Sequence, residues 1–482
     1  MKKRFVRNIC LFLALALLVS MFAACGKKKS NEEDSGPDVY RTPKPSPKEL
    51  GGIITLSTYR TAQNDTSAFM FIQEYVMQYP GVEINNDNEL SYEEYFATLD
   101  QRVEDGSIGD VFLVDSDRLA KYVEKGYVMD LSPYLTGLVE YTSGNFRKLY
   151  PDSDLFDAAY KDALYENRLY MIPTEYENKA VLVNLDVFEK AGLTVPSDKW
   201  TWDDVLECVK AIKEAGIEKP IALDYTDFSV WGAFALGGGG ELFKTSDPKK
   251  GSATLNLTDP KVSAGLKMFS EEFLAAGYVY DKTPAEMKGE ELKNIGIAVI
   301  SHADLQNWHE ALRDADFSWE FAHFPRFKAE DEDLKDPYYF NIGVKTIGLA
   351  VRVRDYDPED YSESDILMED EIRVQLALYA LVPEAAVALA GTTGFRVPAL
   401  ISANSRRFWR EYPVAGKNTS VFSLYNKYDY PATLPAHMLI DAARELGDSV
   451  GEAISAHAAD VDNVPMDDLL QKIQDNVNAN WK

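Results

Sequence analysis

The sequence is poor in the residues that staple or metallate small folds. Three cysteines occur in 482 residues, so no disulfide framework holds the chain. Only five histidines are present, and a zinc site is not favoured. Cations are short as well: 50 Lys+Arg stand against 78 Asp+Glu, a formal net charge of −28. Such a charge repels phosphate backbones, which argues against nucleic acid and, short of a local patch of opposite sign, against phosphorylated ligands. Beyond the first 25 residues no uncharged apolar run approaches the roughly 20 residues of a membrane span. Several catalytic signatures are missing too. No G-x-S-x-G nucleophile elbow is present. Gly237 to Gly240 is followed by no Lys-Ser/Thr, so it is not a phosphate loop. Asp152-Ser153-Asp154 lacks the glycine and terminal glutamate of a calcium loop. No cofactor is expected.

What is there reads as folded protein: 46 % hydrophobic and 12 % aromatic residues, over a length that suits two or three core-sized units. Lys2, Lys3, Arg4 and Arg7 precede an uncharged stretch, Ile9 to Ala24. It is too short to span and fits the apolar core of a secretory signal. Its end, Phe22-Ala23-Ala24-Cys25, resembles a bacterial lipoprotein cleavage box, with Phe22 where leucine is usual. The resemblance implies removal of residues 1–24 and a lipid anchor on Cys25. The other reading is an ordinary signal peptide followed by a free cysteine. Residues 25–50 are polar and Pro-rich and read as a linker with a reach of roughly 80 Å. Cys208 is then left without an internal partner and reads as a small buried apolar residue on a helix.

From Gly51 the hydrophobic pattern organises the chain. Ile53 to Ser57 reads as a buried strand. Phe69, Ile72, Tyr75, Val76 and Tyr79 follow at helical spacing, and Pro80-Gly81 stops that helix. Val82 to Ile84 is a second strand, Tyr92 to Val103 a second amphipathic helix, and Asp110 to Val114 a third strand. This β-α-β-α-β order predicts a parallel, helix-covered sheet. Ligands on such sheets bind at the carboxyl ends of strands, which directs attention to the loops after Ser57 and Val114. Further on, Leu169 to Pro173 and Ala180 to Asn184 read as strands separated by a polar crossing, Thr174 to Asn178. Thr201 opens a helix with Asp204 at the third helical position, a capping-box pattern, and Trp202 faces its core. Helical stretches at 260–277 and 286–294 precede a strand from Ile295 to Ile300. Another strand follows at Thr346–Val353. From about residue 369 the chain is mainly helical, with one conspicuous loop from Gly391 to Pro398. The acidic stretches Glu330–Asp336 and Asp355–Asp365 read as solvated surface.

These segments in this order resemble the extracellular solute-binding proteins of bacterial ABC importers, in the sugar-binding group that includes maltose-binding protein. The resemblance rests on several carriers together. They include Tyr79-Pro80-Gly81-Val82, Gly109-Asp110-Val111-Phe112 and Asp130-Leu131-Ser132-Pro133-Tyr134-Leu135. They also include Leu169 to Pro173 ahead of Val183 to Leu193, then Ile295 to Val299, and Gly394 to Pro398. It implies a two-lobed α/β fold of the periplasmic-binding-protein type (type II), with ligand in the cleft and hinge crossings near 173–178, 295–300 and 345–350. The first lobe is expected at 51–173 plus 300–347, the second at 177–297 plus 350–482.

A sugar presents hydroxyls and apolar C–H faces, so its binder needs planar acceptors and donors beside aromatic platforms. By resemblance, Asp117 and Arg118 match a sugar-contacting Asp-Arg pair, Glu177 a cleft glutamate, and Phe228 an aromatic stacking position followed by Trp231. Tyr59, after the first strand, and Arg396, on the glycine loop, are further candidates. For each, a structural role on the surface or in the core is the competing reading. Two departures stand out. Where maltose-type members carry a Trp platform this chain has Ser301-His302-Ala303-Asp304, with Trp308 displaced. Near the C-terminus His437 or Met438 stands in the region of their second Trp. The maltodextrin pattern is therefore incomplete, and a neutral or amine-bearing glycan, or another cationic ligand, fits the residues.

The resemblance implies a non-enzymatic, lipid-anchored, monomeric receptor on the outer face of the cell membrane. Its partners would be a small solute, a sugar or oligosaccharide, and the permease subunits. A secreted glycan hydrolase with two positioned carboxylates, or a partner of a membrane sensor kinase, is the alternative.

Overall fold

The computed structural model describes residues 51–60, 65–135, 139–142, 145–148, 154–197, 199–244, 254–302, 304–327, 342–357, 359–391, 396–404, 416–422, 430–431 and 440–480. The signal, the linker with Cys25, residues 392–395 of the 391–398 loop and the His437/Met438 region lie outside the described residues.

The first half of the chain follows its hydrophobic pattern. β1 (Gly51–Ser57), α1 (Ser67–Gln78), β2 (Gly81–Asp87), α2 (Tyr92–Glu104) and β3 (Val111–Asp115) alternate as expected. β1 pairs parallel with β2 and with β3. A capping box starts α2: Ser91 Oγ accepts from the Glu94 N–H at 3.3 Å while Glu94 accepts from the Ser91 N–H at 3.0 Å. Gly109 lets the chain enter β3 beside β1, since a Cβ there would lie 2.6 Å from Ser57 Oγ. α3 (Ser116–Glu124) begins directly after β3, capped by Asp115, whose carboxylate accepts from the Arg118 N–H at 3.1 Å.

The polar segment expected to be an extended crossing is largely part of a strand, β4 (Ile172–Glu177). One residue later β5 (Lys179–Asn184) begins, in a different sheet. Asn178, the residue between them, is buried, and its side-chain amide donates to the Phe422 carbonyl at 2.6 Å. The second sheet then gathers β6 (Ile221–Ala222), β7 (Ile297–Ser301) and β8 (Trp319–His323) in the order β6-β7-β5-β8. α4 (Trp202–Glu214) carries the expected capping box at Thr201 and Asp204. α5 (Phe228–Gly237) follows β6, capped by Asp227.

β9 (Ile342–Val351) returns to the first sheet, antiparallel to both β3 and β4. The register against β4 shifts between Ile347 and Gly348. Glycine is needed there, because a Cβ would lie 2.5 Å from the Ile172 carbonyl oxygen. α6 (Glu363–Tyr379) packs on β1, β3 and β9, and α7 (Pro383–Gly391) on α1. α8 (Ile440–Ala459) and α9 (Met466–Asn480) pack against each other and add Leu446, Val450, Ile454, Met466 and Leu470 to the core around Val181 and Val183 of β5. Among the described residues no single helix is long and apolar enough to cross a membrane.

This pairing corrects the expected lobe boundaries. The stretch 300–347 was assigned to the first lobe, yet β8 pairs with β5 in the second sheet. The stretch 350–482 is expected in the second lobe, yet α6 and α7 cover the first sheet, and α8, α9 and the turn at 419–422 are the parts that pack with the second. The crossing expected at 295–300 is β7, which stays inside the second sheet between β6 and β5. The one expected at 345–350 is interior to β9. All five residues of β7 are buried, and a run buried on both faces has no alternation to reveal which sheet it joins.

Candidate functional site

A cavity of about 360 Å³ opens where the two sheets face each other, with half of its lining from each side. That size suits a small ligand. Its first-sheet wall is built around Arg396. The residue is 4 % exposed, and its terminal nitrogens donate to the Tyr59 carbonyl at 3.0 Å, to Asp65 at 3.2 Å and to the Leu389 carbonyl at 3.2 Å. Its guanidinium lies 4.3 Å from the Tyr59 ring centroid and 3.5 Å from Glu175 Oε1. The Tyr59 hydroxyl donates to the other oxygen of Glu175. Burial, then the Glu175 charge, pushes the Tyr59 hydroxyl well up, so it stays protonated and donates. Burial pushes the Glu175 carboxyl up as well, while Arg396 and Tyr59 pull against that.

Lys345 on β9 forms the second group of this wall. Its ammonium stands 3.5 Å from Asp115, 3.8 Å from Asp117 and 5.6 Å from the Phe96 ring. Burial alone would depress it. Tyr92 and the carboxylates of Asp115, Asp117 and Glu177 outweigh burial and hold it well above its usual value, so Lys345 is a cation at every physiological pH. Glu177 pairs opposite Lys345 in the β4–β9 ladder and also lines the cavity.

The second-sheet wall is simpler. Lys179, the first residue of β5, pairs with Asp227 at 2.8 Å. Asp224 accepts from the Thr226 N–H at 2.9 Å, and Asp304 accepts from the Ser301 N–H at 2.7 Å. His302 also lines the cavity and stands edge-on to Phe422, with centroids 4.7 Å apart.

Tyr59, Glu177 and Arg396, three of the residues expected at the site, line the cavity. The other four do not. Asp117 stands one rank behind, facing Lys345. Arg118 turns into its own lobe: it is 6 % exposed, pairs with Asp115, and donates to the Phe96 carbonyl at 3.0 Å. Trp231 is 2 % exposed in the second core, and Phe228 packs edge-on against it with centroids 4.9 Å apart. The cavity instead receives Asp227 and Val230 from this segment. Both pairs are spaced by three, so both are helical faces; the expected face is one residue, about 100°, out of phase.

Sequence reasoning missed Tyr92, Glu93, Glu175, Lys179, Asp224, Asp227, Asp304 and Lys345. A usable signal existed for three of them. Lys179 opens one otherwise apolar strand and Lys345 interrupts another, and a lysine held in such a strand needs partners. Glu175 sits two residues before Glu177 in an extended segment, hence on the same face. The acids at 224, 227 and 304 look like ordinary turn and cap residues, which they also are.

The comparisons with known proteins agree with this architecture. The family model described as bacterial extracellular solute-binding protein matches residues 62–353. The fold is similar to an ABC substrate-binding protein from Listeria monocytogenes in complex with cycloalternan (TM-score 0.62, 18 % identity, 89 % of this chain and 99 % of that one). It is also similar to the sugar-binding protein MalE from Xanthomonas citri (TM-score 0.67, 11 % identity, 89 % and 97 %). A third is the cyclic alpha-maltosyl-1,6-maltose binding protein from Arthrobacter globiformis (TM-score 0.63, 16 % identity, 90 % and 99 %). At these identities the likeness is one of fold: two lobes of the periplasmic-binding-protein type. The family match covers more than half of the chain, and the chain therefore belongs to the bacterial extracellular solute-binding proteins.

Proposed function

We propose that this protein is the capture component of an ABC importer and that its cargo is a carbohydrate. The observation that carries the reading is the composition of the cavity: carboxylate acceptors reach it from two facing lobes, and tyrosine rings from the first. Sugar hydroxyls need such acceptors, and sugar C–H faces need such rings. The names of the structural neighbours, which include a complex with cycloalternan and a maltosyl-maltose binder, support the same class.

Closure would pivot where the chain passes between the lobes, which among the described residues includes Asn178 between β4 and β5, and residues 416–422, whose Phe422 packs on Phe321 of β8 at 5.3 Å between centroids. We assign the first lobe to 51–177 plus 342–404 and the second to 179–327 plus 440–480. Residues 1–24 would act as a lipoprotein signal, Cys25 as the lipid anchor and 25–50 as the tether. The monomeric receptor would then work on the outer face of the membrane and hand its closed form to the permease without chemical change to the cargo.

A thermal-shift panel of neutral oligosaccharides, amino sugars, uronates, polyamines and peptides tests this. A ligand held only by the folded state raises Tm. A rise with one glycan class, with the glycan recovered intact, supports the reading. A rise with peptides alone would remove the sugar assignment, and glycan consumption would make the protein an enzyme.

A further inference from the structure

The cations of the cavity lining are already engaged. Arg396 holds Asp65 at 3.2 Å and Glu175 at 3.5 Å, Lys179 holds Asp227 at 2.8 Å, and Lys345 stands 3.5 Å from Asp115. Little positive charge is therefore left to receive an anion. The acids are a different matter. Glu93, Glu177 and Asp224 also line the cavity, and none of them forms an ion pair among the described residues. Glu93 and Glu177 belong to the first-sheet side and Asp224 to the second. Glu175, 5 % exposed, adds an oxygen, Oε1, that lies 3.5 Å from Arg396 and accepts no hydrogen bond.

Bringing the two walls together around a neutral ligand concentrates like charge in a space with little water, which is unfavourable. A ligand ammonium reverses the sign of that term. It also finds the faces of Tyr59 and Tyr92, both in the lining, as cation-attracting surfaces.

We infer that the cargo is a cationic glycan, a sugar carrying at least one free amine, whose ammonium is received by Glu93, Glu177 and Asp224. This rests on the carbohydrate reading above and specifies its charge. The same geometry makes uronates and other anionic sugars poor ligands.

The test is calorimetric titration of the mature chain with glucosamine and galactosamine oligomers, their N-acetylated forms, neutral hexose oligomers of equal length, and spermidine. The free-amine oligomers should bind about tenfold or more tightly than their N-acetylated forms, the scale of a charge-assisted hydrogen bond. The preference should shrink as salt is raised and in the double variant Glu177→Gln/Asp224→Asn. Both positions are half-buried, and unchanged melting of the ligand-free variant would show that its fold is intact. Equal or tighter binding of the neutral forms overturns the inference and leaves the carbohydrate reading standing. A response to spermidine alone, or to no sugar, overturns both.

Discussion

The two walls of the cleft use charge in opposite ways. On the first-sheet wall most of the charged groups are spent on one another, Glu93 and Glu177 excepted. Arg396, Glu175, Asp65 and Tyr59 form one interlocked group, and Lys345, Asp115 and Asp117 another. On the second-sheet wall there is one ion pair, and the remaining acids hold only backbone N–H groups and hydroxyls of neighbouring residues in turns and caps. A mutually saturated wall is rigid before ligand arrives, which lowers the ordering cost of binding. A wall whose carboxylates retain free lone pairs is the one that can read ligand donors. The comparison suggests a fixed platform facing an adaptable one.

The largest expected effect breaks the platform. Arg396→Met would leave Glu175 and Asp65 buried without their cation, a loss of about 3–5 kcal/mol. Urea denaturation measures it, and a loss below about 1 kcal/mol would mean that the wall is not interlocked. The second prediction concerns pH. Burial pushes the Asp117 carboxyl up to about 6, with Lys345 pulling against it and Asp115 adding to it. The folded state then keeps a proton that the unfolded chain releases near pH 4. Stability from this group is complete below about pH 4 and is lost as pH rises through about 6, by no more than about 3 kcal/mol. Asp117→Asn should flatten that part of the stability–pH curve; an unchanged curve would show that Asp117 is ionised throughout.

Next in size, Tyr59→Phe removes the donor to Glu175 and should cost about 1–3 kcal/mol, read from the same denaturation experiment. The smallest effect should come from the other wall. Lys179→Met leaves Asp227 with 35 % of its side chain exposed, so water replaces the lost partner and the cost is about 1 kcal/mol or less. If Lys179→Met were as damaging as Arg396→Met, the difference between the walls would vanish.

How much of this was legible beforehand varies along the chain. The helix from Tyr92, the capped start at Thr201 and the parallel order of β1, β2 and β3 follow from spacing, caps and alternation, because those signals are local. Tyr59, Glu177 and Arg396 were legible at the site. Phe228 and Trp231 were sought in the right segment, where the local pattern is satisfied by either of two adjacent helical faces and packing chose between them; Asp117 and Arg118 lie behind the cavity, which receives no residue of α3.

The sequence by itself determined most of the strands and helices, the capped start at Thr201, and which broad family they compose. Only the tertiary structure decided that β8 joins the second sheet and β9 the first, that Arg118 turns inward, and that Lys345 meets Asp115 and Asp117. Those choices depend on partners far away in the chain. Arg396 and the Tyr59 carbonyl it binds are 337 residues apart. A buried strand or a buried charge has no local feature that names its partner, so its place is set by whichever surface and counter-charge the rest of the fold brings to it.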